Sequence, residues 1–214
     1  MATQDHAADS PFDPAVGRPL GPRMVLHWYD FICPYCYVGQ QRSQILREHG
    51  FELVELPFQA HPEISPGGMA VGPRQGSRYA HLEQEAAAAG LPLNWPDRLP
   101  NSRLALAAAE WVRRHQSPLF HAVQTALFAA HFRDRQDIGD PALIEGLASA
   151  QGVDRAGLKA ALEDGAAYAA VAAGETLGRR YGVQGTPAWL IAGKLVPGLF
   201  PQEDFRRIVA AIPG

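Results

Sequence analysis

The stretch Met24-Val25-Leu26-His27-Trp28-Tyr29-Asp30-Phe31-Ile32-Cys33-Pro34-Tyr35-Cys36 decides the fold. Residues 24–31 form an apolar and aromatic run of strand length. Two cysteines follow at once. Residues 37–49 then suit a helix, with Tyr37, Gln41, Gln44, Ile45 and Glu48 as candidate positions and Gly50 as its stop. Residues 51–58 alternate apolar and polar in places and read as a second strand. A β-α-β unit of this kind implies a parallel pair joined by a right-handed crossover.

Outward from that unit, residues 1–22 hold Pro11, Pro14, Pro19 and Pro22 with Gly17 and Gly21, and read as a loose leader. The proline- and glycine-rich piece 62–76 reads as a loop. Residues 77–181 are rich in alanine and carry helical stripes: Leu104, Ala108, Trp111 and Val112; Leu119, Val123, Leu127 and Ala130; Leu143, Ile144 and Leu147. Asp140-Pro141 and Asp154 read as helix starts, and Gly182 as a helix end. Strand character returns at Ala188-Trp189-Leu190-Ile191 and Lys194-Leu195-Val196, a hairpin about Ala192-Gly193. A last helix places Phe205, Ile208, Val209 and Ile212 on one face. The expected fold is α/β. Residues 23–76 and 182–214 form one mixed sheet with helices on its faces, and 77–181 is an inserted helical domain.

Composition narrows the function. The chain is 47% hydrophobic and 19% charged with net charge −3, a globular balance without the basic surplus that nucleic acid requires. Its first residues carry acids where a secretory signal carries bases, and no run approaches the roughly 18 apolar residues of a membrane span. The expectation is a soluble, cytoplasmic protein, monomer or homodimer, with no membrane or nucleic-acid partner. Two cysteines are too few for a disulfide scaffold. In a reducing compartment a close pair is more often catalytic or metal-binding than structural.

Two cysteines placed at random in this length fall three apart about one time in a hundred, so context has to carry the argument. The pair follows a predicted strand and opens a predicted helix. Cys33 therefore meets unpaired backbone N–H groups and the positive end of the helix dipole, both of which favour a thiolate. Pro34 fits the first turn, where its missing N–H costs nothing. Cys36 lies one helical turn on, near enough to attack a mixed disulfide on Cys33. Cys33 is the expected nucleophile and Cys36 the more buried resolving thiol. A zinc site would need two further ligands, and the histidines are scattered, so no metal is expected.

Pro187 lies just before a predicted strand, after Gly185-Thr186. A cis Thr186–Pro187 bond there would present the Thr186 backbone to an extended substrate, although a trans proline opening a strand is the commoner arrangement. With these residues in view, Cys33-Pro34-Tyr35-Cys36 and Thr186-Pro187 resemble the active-site motif and cis-proline loop of the thioredoxin fold. The finer resemblance is to the DsbA-like family and its FrnE-like cytoplasmic branch. It rests on Asp30 to Gly39, Pro57-Phe58-Gln59-Ala60-His61-Pro62, Asn101-Ser102-Arg103-Leu104-Ala105, Phe128-Ala129-Ala130-His131-Phe132 with Asp137-Ile138, and Gly182 to Pro187, and it covers residues 24–212. The resemblance implies a thiol–disulfide oxidoreductase acting on protein or small-molecule disulfides and thiols. Pro34, Tyr35, Thr186 and Pro187 would bind substrate. No cofactor would be required, with glutathione as an optional co-substrate.

Two residues depart from the branch. Tyr35 stands where tryptophan is frequent, and Thr186 where valine is. The same superfamily contains 2-hydroxychromene-2-carboxylate isomerases and kappa-class glutathione transferases, which commonly carry serine at the position of Cys33. Those activities, and a non-enzymatic binding module, are the alternatives.

Remaining residues take plainer roles. Asn101 reads as an N-cap. Arg103, Arg113, Arg114, Arg179 and Arg180 read as solvated helix faces, and Trp28, Trp111 and Trp189 as core. Trp95 is a candidate for the cleft between insertion and sheet. His27 reads as core or rim, and Asp30 as a neighbour of the active-site turn. The proton acceptor for Cys36 is not identified by sequence.

Overall fold

Valine, leucine and aromatic side chains at every position from Val25 to Tyr29 suit a strand covered on both faces, and these five residues are all buried. A computed structural model describes residues 16, 21 and 23–212. Its elements are β1 Met24–Tyr29, α1 Pro34–Glu48, β2 Glu52–Pro57, β3 Met69–Ala70, α2 Ser77–Ala88, β4 Arg98–Leu99, α3 Arg103–His115, α4 Ser117–Phe132, α5 Pro141–Ala150, α6 Arg155–Glu163, α7 Ala166–Arg180, β5 Ala188–Ile191, β6 Lys194–Pro197 and α8 Gln202–Ala210. The leader expected over 1–22 lies outside the described residues apart from Val16 and Gly21; Val16 is buried against Leu26 and Trp28.

The main sheet has the order β2-β1-β5-β6. β1 and β2 run parallel, as the β-α-β reading requires, with Met24 opposite Glu52 and Tyr29 opposite Pro57. β5 returns antiparallel to β1, with Leu26 opposite Leu190 and Trp28 opposite Ala188. The β5–β6 hairpin turns at Ala192 and Gly193, both at positive φ (48° and 75°). Period-two alternation sends β1 side chains to opposite faces. Val25 packs with Ile45 and Leu46 of α1, Trp189 and Phe205 of α8. Leu26 and Trp28 pack on the other side with Leu56 and with Leu177 of α7.

The helical region supplies the third body of core, in which Phe128, Phe132 and Ile138 meet Tyr29, Phe31 and Tyr37. Its starts are as read: the Asp140 side chain accepts from the Ala142 N–H, and Asp154 from those of Ala156 and Gly157. Gly182, at φ +82°, ends α7. One strand pair was not legible. The loop expected over 62–76 contains β3, which pairs antiparallel with β4. Two-residue strands carry no periodicity to read. Among the described residues no helix is long and apolar enough to cross a membrane.

α7 lies directly on the sheet. The Gly174 carbonyl accepts from the Trp28 indole N–H at 3.0 Å. A Cβ at Gly178 would stand 2.9 Å from Trp28 Nε1 and 3.1 Å from the Phe58 ring. Trp28 is fully buried and has nowhere to go. Gly178→Ala should therefore lower stability by about 1–3 kcal/mol, against the helix propensity of alanine, which denaturant unfolding would measure.

His131 is wholly buried on α4, and among the described residues no charged group pairs with its ring. Burial pushes its pKa down to about 4. The unfolded chain binds a proton between about pH 4 and 6.5 that the folded protein refuses, so this residue's effect is destabilising as pH falls. His131→Leu should spare the protein about 2 kcal/mol of the loss between pH 7 and pH 5, read as a flatter stability–pH curve.

Candidate active site

Cys33 is the N-cap of α1 and Pro34 its first helical residue. The helix thus starts three residues earlier than periodicity placed it, because Pro34 pre-sets the helical φ. The Cys33 carbonyl accepts from the N–H groups of Cys36 (3.0 Å) and Tyr37 (3.1 Å), which winds the first turn. Both cysteines are free thiols. Cys33 is half-buried and Cys36 fully buried. Pro34 and Tyr35 are partly exposed between them, Tyr35 resting on the apolar body that α3 and α4 complete.

The second half of the site comes from the chain's other end. The Thr186–Pro187 peptide is cis. The Cys33 thiol donates to the Thr186 carbonyl at 3.2 Å, across 153 residues of sequence. Pro187 is buried and packs toward Gly39 of α1. The Thr186 hydroxyl is buried. Sequence placed Cys33, Cys36, Pro34, Tyr35, Thr186 and Pro187 at one centre, and the fold brings them there.

The two thiols are driven apart electrostatically. For Cys33, burial raises the pKa, but hydrogen bonding with the Cys36 thiol, with Thr186 and with the Cys36 backbone outweighs it, and the pKa lies below the ordinary cysteine value. The α1 N-terminus acts in the same sense. The Asp30 carboxylate works against it. For Cys36, burial, the hydrogen bond with Cys33 and the Cys33 charge all raise the pKa, well above an ordinary thiol.

Asp30 ties the turn together. It is wholly buried. Its backbone carbonyl accepts from Cys33 N–H at 3.2 Å. Its carboxylate accepts from Ala60 N–H at 2.8 Å and Ile32 N–H at 3.3 Å. Burial raises its pKa, opposed by those two N–H groups, Ser102 and the His61 charge.

Behind the turn, the Gln59 amide donates to Asn101 (2.9 Å), and Asn101 Oδ1 also accepts from the Arg103 N–H (2.9 Å), so Asn101 supplies the cap although Ser102 holds the N-cap position. The Arg103 guanidinium meets Glu175 of α7 at 2.6 Å. Arg103 is therefore not a solvated face. Nor are Arg113 and Arg114, which meet the wholly buried Glu110 at 2.7 and 2.5 Å; the Glu110 spacing of three and four was the signal that could have shown this. Arg179 is largely exposed, 3.7 Å from Glu175. Trp28, Trp111 and Trp189 are core, as read. Trp95 stacks edge-on to Tyr79 and donates to Glu83, both on α2. His27 is core, stacked on Trp189 at 4.7 Å and 3.3 Å from the buried Glu55. Arg42, buried on α1 and bonded to Glu85 and the Phe200 carbonyl, had no sequence signal. A cavity of about 310 Å³ between α3, α5, α6 and α7 is lined by Leu104, Ile144, Leu158 and Tyr168 and by none of the predicted site residues.

Comparison with known proteins agrees with this geometry. The family model described as DSBA-like thioredoxin domain matches residues 24–210. The protein YwbO of Bacillus subtilis (strain 168) is 26% identical over 187 residues, covering 85% of this chain and 92% of its own. Among solved structures, a probable DsbA oxidoreductase from Streptomyces coelicolor superposes with a TM-score of 0.75 at 26% identity, covering 87% of this chain and 88% of that one. A 2-hydroxychromene-2-carboxylate isomerase shares the fold, with a TM-score of 0.69 at 20% identity over 88% of this chain and 93% of that one.

The opposed thiols make a measurable pair. Iodoacetamide should alkylate Cys33 of the reduced protein with an apparent pKa below that of free cysteine and leave Cys36 unmodified in the native state. Fast labelling that survives Cys33→Ser would reverse the assignment.

Proposed function

The chain belongs to the DSBA-like thioredoxin domain family, and from that premise we propose that it is a cytoplasmic thiol–disulfide oxidoreductase, with Cys33 as nucleophile and Cys36 as resolving thiol. What carries the reading is a pair of free thiols three residues apart, one half-buried at a helix start against the Thr186 carbonyl and one buried a turn inside, with pKa values pushed in opposite directions. That is the asymmetry a two-step exchange needs.

In the reductive direction the Cys33 thiolate attacks a substrate disulfide, forming a Cys33–substrate bond and expelling one substrate thiolate. Cys36 loses its proton and attacks Cys33 Sγ. The mixed disulfide breaks, the second substrate thiolate leaves, and Cys33–Cys36 is oxidised. Two electrons pass to substrate with two protons. The reverse sequence oxidises dithiols. Pro34 and Tyr35 flank the sulfur, and Thr186 and Pro187 face it across the cleft, so these four are the proposed substrate contacts. Glutathione is the proposed small thiol that returns the disulfide to the dithiol. The chemistry uses no metal and no organic cofactor.

Insulin reduction with dithiothreitol tests this. The protein should accelerate it, and Cys33→Ser should fall to background. In lysate, Cys36→Ser should accumulate dithiothreitol-sensitive adducts on Cys33, because the resolving thiol is gone, and Cys33→Ser should accumulate none. An inactive protein that forms no adducts would transfer the site to a glutathione-dependent isomerase or transferase, or to a binding module.

A further inference from the structure

Arg42 is a wholly buried arginine on α1, and the dithiol chemistry gives it no part. Burying a guanidinium is costly unless its donors are met. Two groups meet them. Nε and Nη2 both donate to the Phe200 carbonyl, at 3.1 and 2.8 Å, and Nη2 also donates to Glu85 of α2 at 2.7 Å. The carboxylate balances the charge. The two-pronged hold on one main-chain oxygen ties the chain between β6 and α8 to the side of α1. That chain is tied in turn to the second half of the site. Gly198 N–H donates to the Pro187 carbonyl at 2.8 Å. Pro197, opposite Ala188, has no N–H to give, so the Gly198 bond is the last rung of the edge strand β6. One residue before Pro187, the Thr186 carbonyl accepts from the Cys33 thiol at 3.2 Å.

These contacts close a ring. It runs from Cys33 at the α1 N-cap to Thr186, through Pro187 to Gly198, from Phe200 to Arg42, and back along α1 to Cys33. Its middle is packed: Leu199 Cδ1, the Trp189 ring and Pro187 Cγ would lie 3.5, 3.6 and 3.9 Å from a Cβ on Gly39 of α1. Leu199 and Phe200 turn to different bodies of core, Leu199 to the one that holds Tyr37 and Phe128, Phe200 to the one that holds Ile45 and Phe205. α1 is therefore joined to the Thr186-Pro187 segment at two points, the Cys33 sulfur and the Arg42 guanidinium.

We propose that Arg42 is a positioning residue of the active site, holding the Thr186-Pro187 segment against α1 in the states where Cys33 cannot. This rests on the dithiol reading above. The Cys33–Thr186 bond needs the sulfur's proton. A thiolate has none to donate and turns its charge on the carbonyl oxygen. A sulfur in a disulfide has none either. The bond therefore lapses in the attacking thiolate, in the mixed disulfide and in the oxidised protein, the states that bind or release substrate. The hold at Arg42 does not lapse. Arginine keeps its proton at every working pH, and its partners are a main-chain oxygen and a carboxylate on another helix. One fastening of the ring opens in each catalytic cycle, and the other keeps Thr186 and Pro187 in place for the substrate.

Hydrogen exchange at the Gly198 amide reads the ring directly, because that N–H is one of its links. In the wild-type protein its protection should agree within about threefold between the disulfide form and the reduced form, compared at a pH where thiolate absorbance shows Cys33 still protonated. Arg42→Lys keeps a cation for Glu85 without the planar fork. Arg42→Met removes both, and Glu85, whose side chain is 22% exposed, can then be hydrated. In either variant Gly198 protection should fall at least about tenfold in the disulfide form and less than about threefold in the reduced thiol form. Insulin reduction should fall about tenfold, while iodoacetamide still alkylates Cys33 and leaves Cys36 unmodified. A fall of equal size in both redox forms makes Arg42 a plain staple for α8; it overturns the proposal and leaves the dithiol reading intact. A wild-type Gly198 that loses its protection on oxidation does the same, and that measurement decides alone if neither variant folds. A protein whose cysteines cannot be cycled between dithiol and disulfide overturns the dithiol reading, and the proposal with it.

Discussion

The antiparallel pairing of β5 with β1 is the constraint on which the rest of this structure depends. Its register, Trp28 opposite Ala188, brings the C-terminal end of β1 beside the N-terminal end of β5. The residues just beyond those ends are Asp30 to Cys36 on one side and Thr186-Pro187 on the other. A slip of one residue would turn Trp189 from the α1 face to the α7 face and expose or clash every side chain on both. The Cys33–Thr186 contact is a consequence of that register. It joins residues 153 apart only because the sheet already has.

The helical region stands between the two halves of the sheet in sequence and braces them in space. α7 reaches the sheet through Gly174 and Gly178, where missing side chains let the helix backbone approach Pro57, Phe58 and Trp28. α3 enters through Asn101 and Arg103, which bind Gln59 and Glu175. The loop after β2 is thereby fixed on one side by helices and on the other by the Asp30 carboxylate at Ala60. Hydrogen bonds buried in this way are worth more than exposed ones, and more costly to leave unmade. They hold the cysteine turn from behind, while Cys33, Pro34 and Tyr35 stay partly exposed at its front.

Much of this was legible in sequence for a local reason. The strand, turn, helix and hairpin around the site announce themselves within a few residues: Pro34 at a helix start, Asp140-Pro141 and Asp154 at others, Ala192-Gly193 at a turn. The boundary of the helical region was read at 181, from alanine content, and α7 falls on the helical side of it. Its two close-approach glycines look in sequence like any helix glycine, since what they touch lies more than a hundred residues away. The β3–β4 pair was lost because two-residue strands have no period. Arg103, Arg113 and Arg114 were read as solvated because charge alone suggests water. Glu110, which meets both Arg113 and Arg114, is a next-turn neighbour, and Glu175, which meets Arg103, is not.

The electrostatics of the site divide along the same line. The asymmetry between Cys33 and Cys36 follows from position within one helical turn: the first residue keeps the free N–H groups and the open side, and the fourth is turned inward. The Thr186 carbonyl, brought in by β5, adds to it. Asp30 differs. Three residues before Cys33 it reads as a turn former, and its charge matters only because Ala60, Ser102 and the body of α3 close over it. Enclosed, its charge opposes the Cys33 thiolate through a medium that screens less than water does. The helical region, which contributes none of the residues that bond to sulfur, therefore supplies the closure that buries this acid behind the cysteine turn.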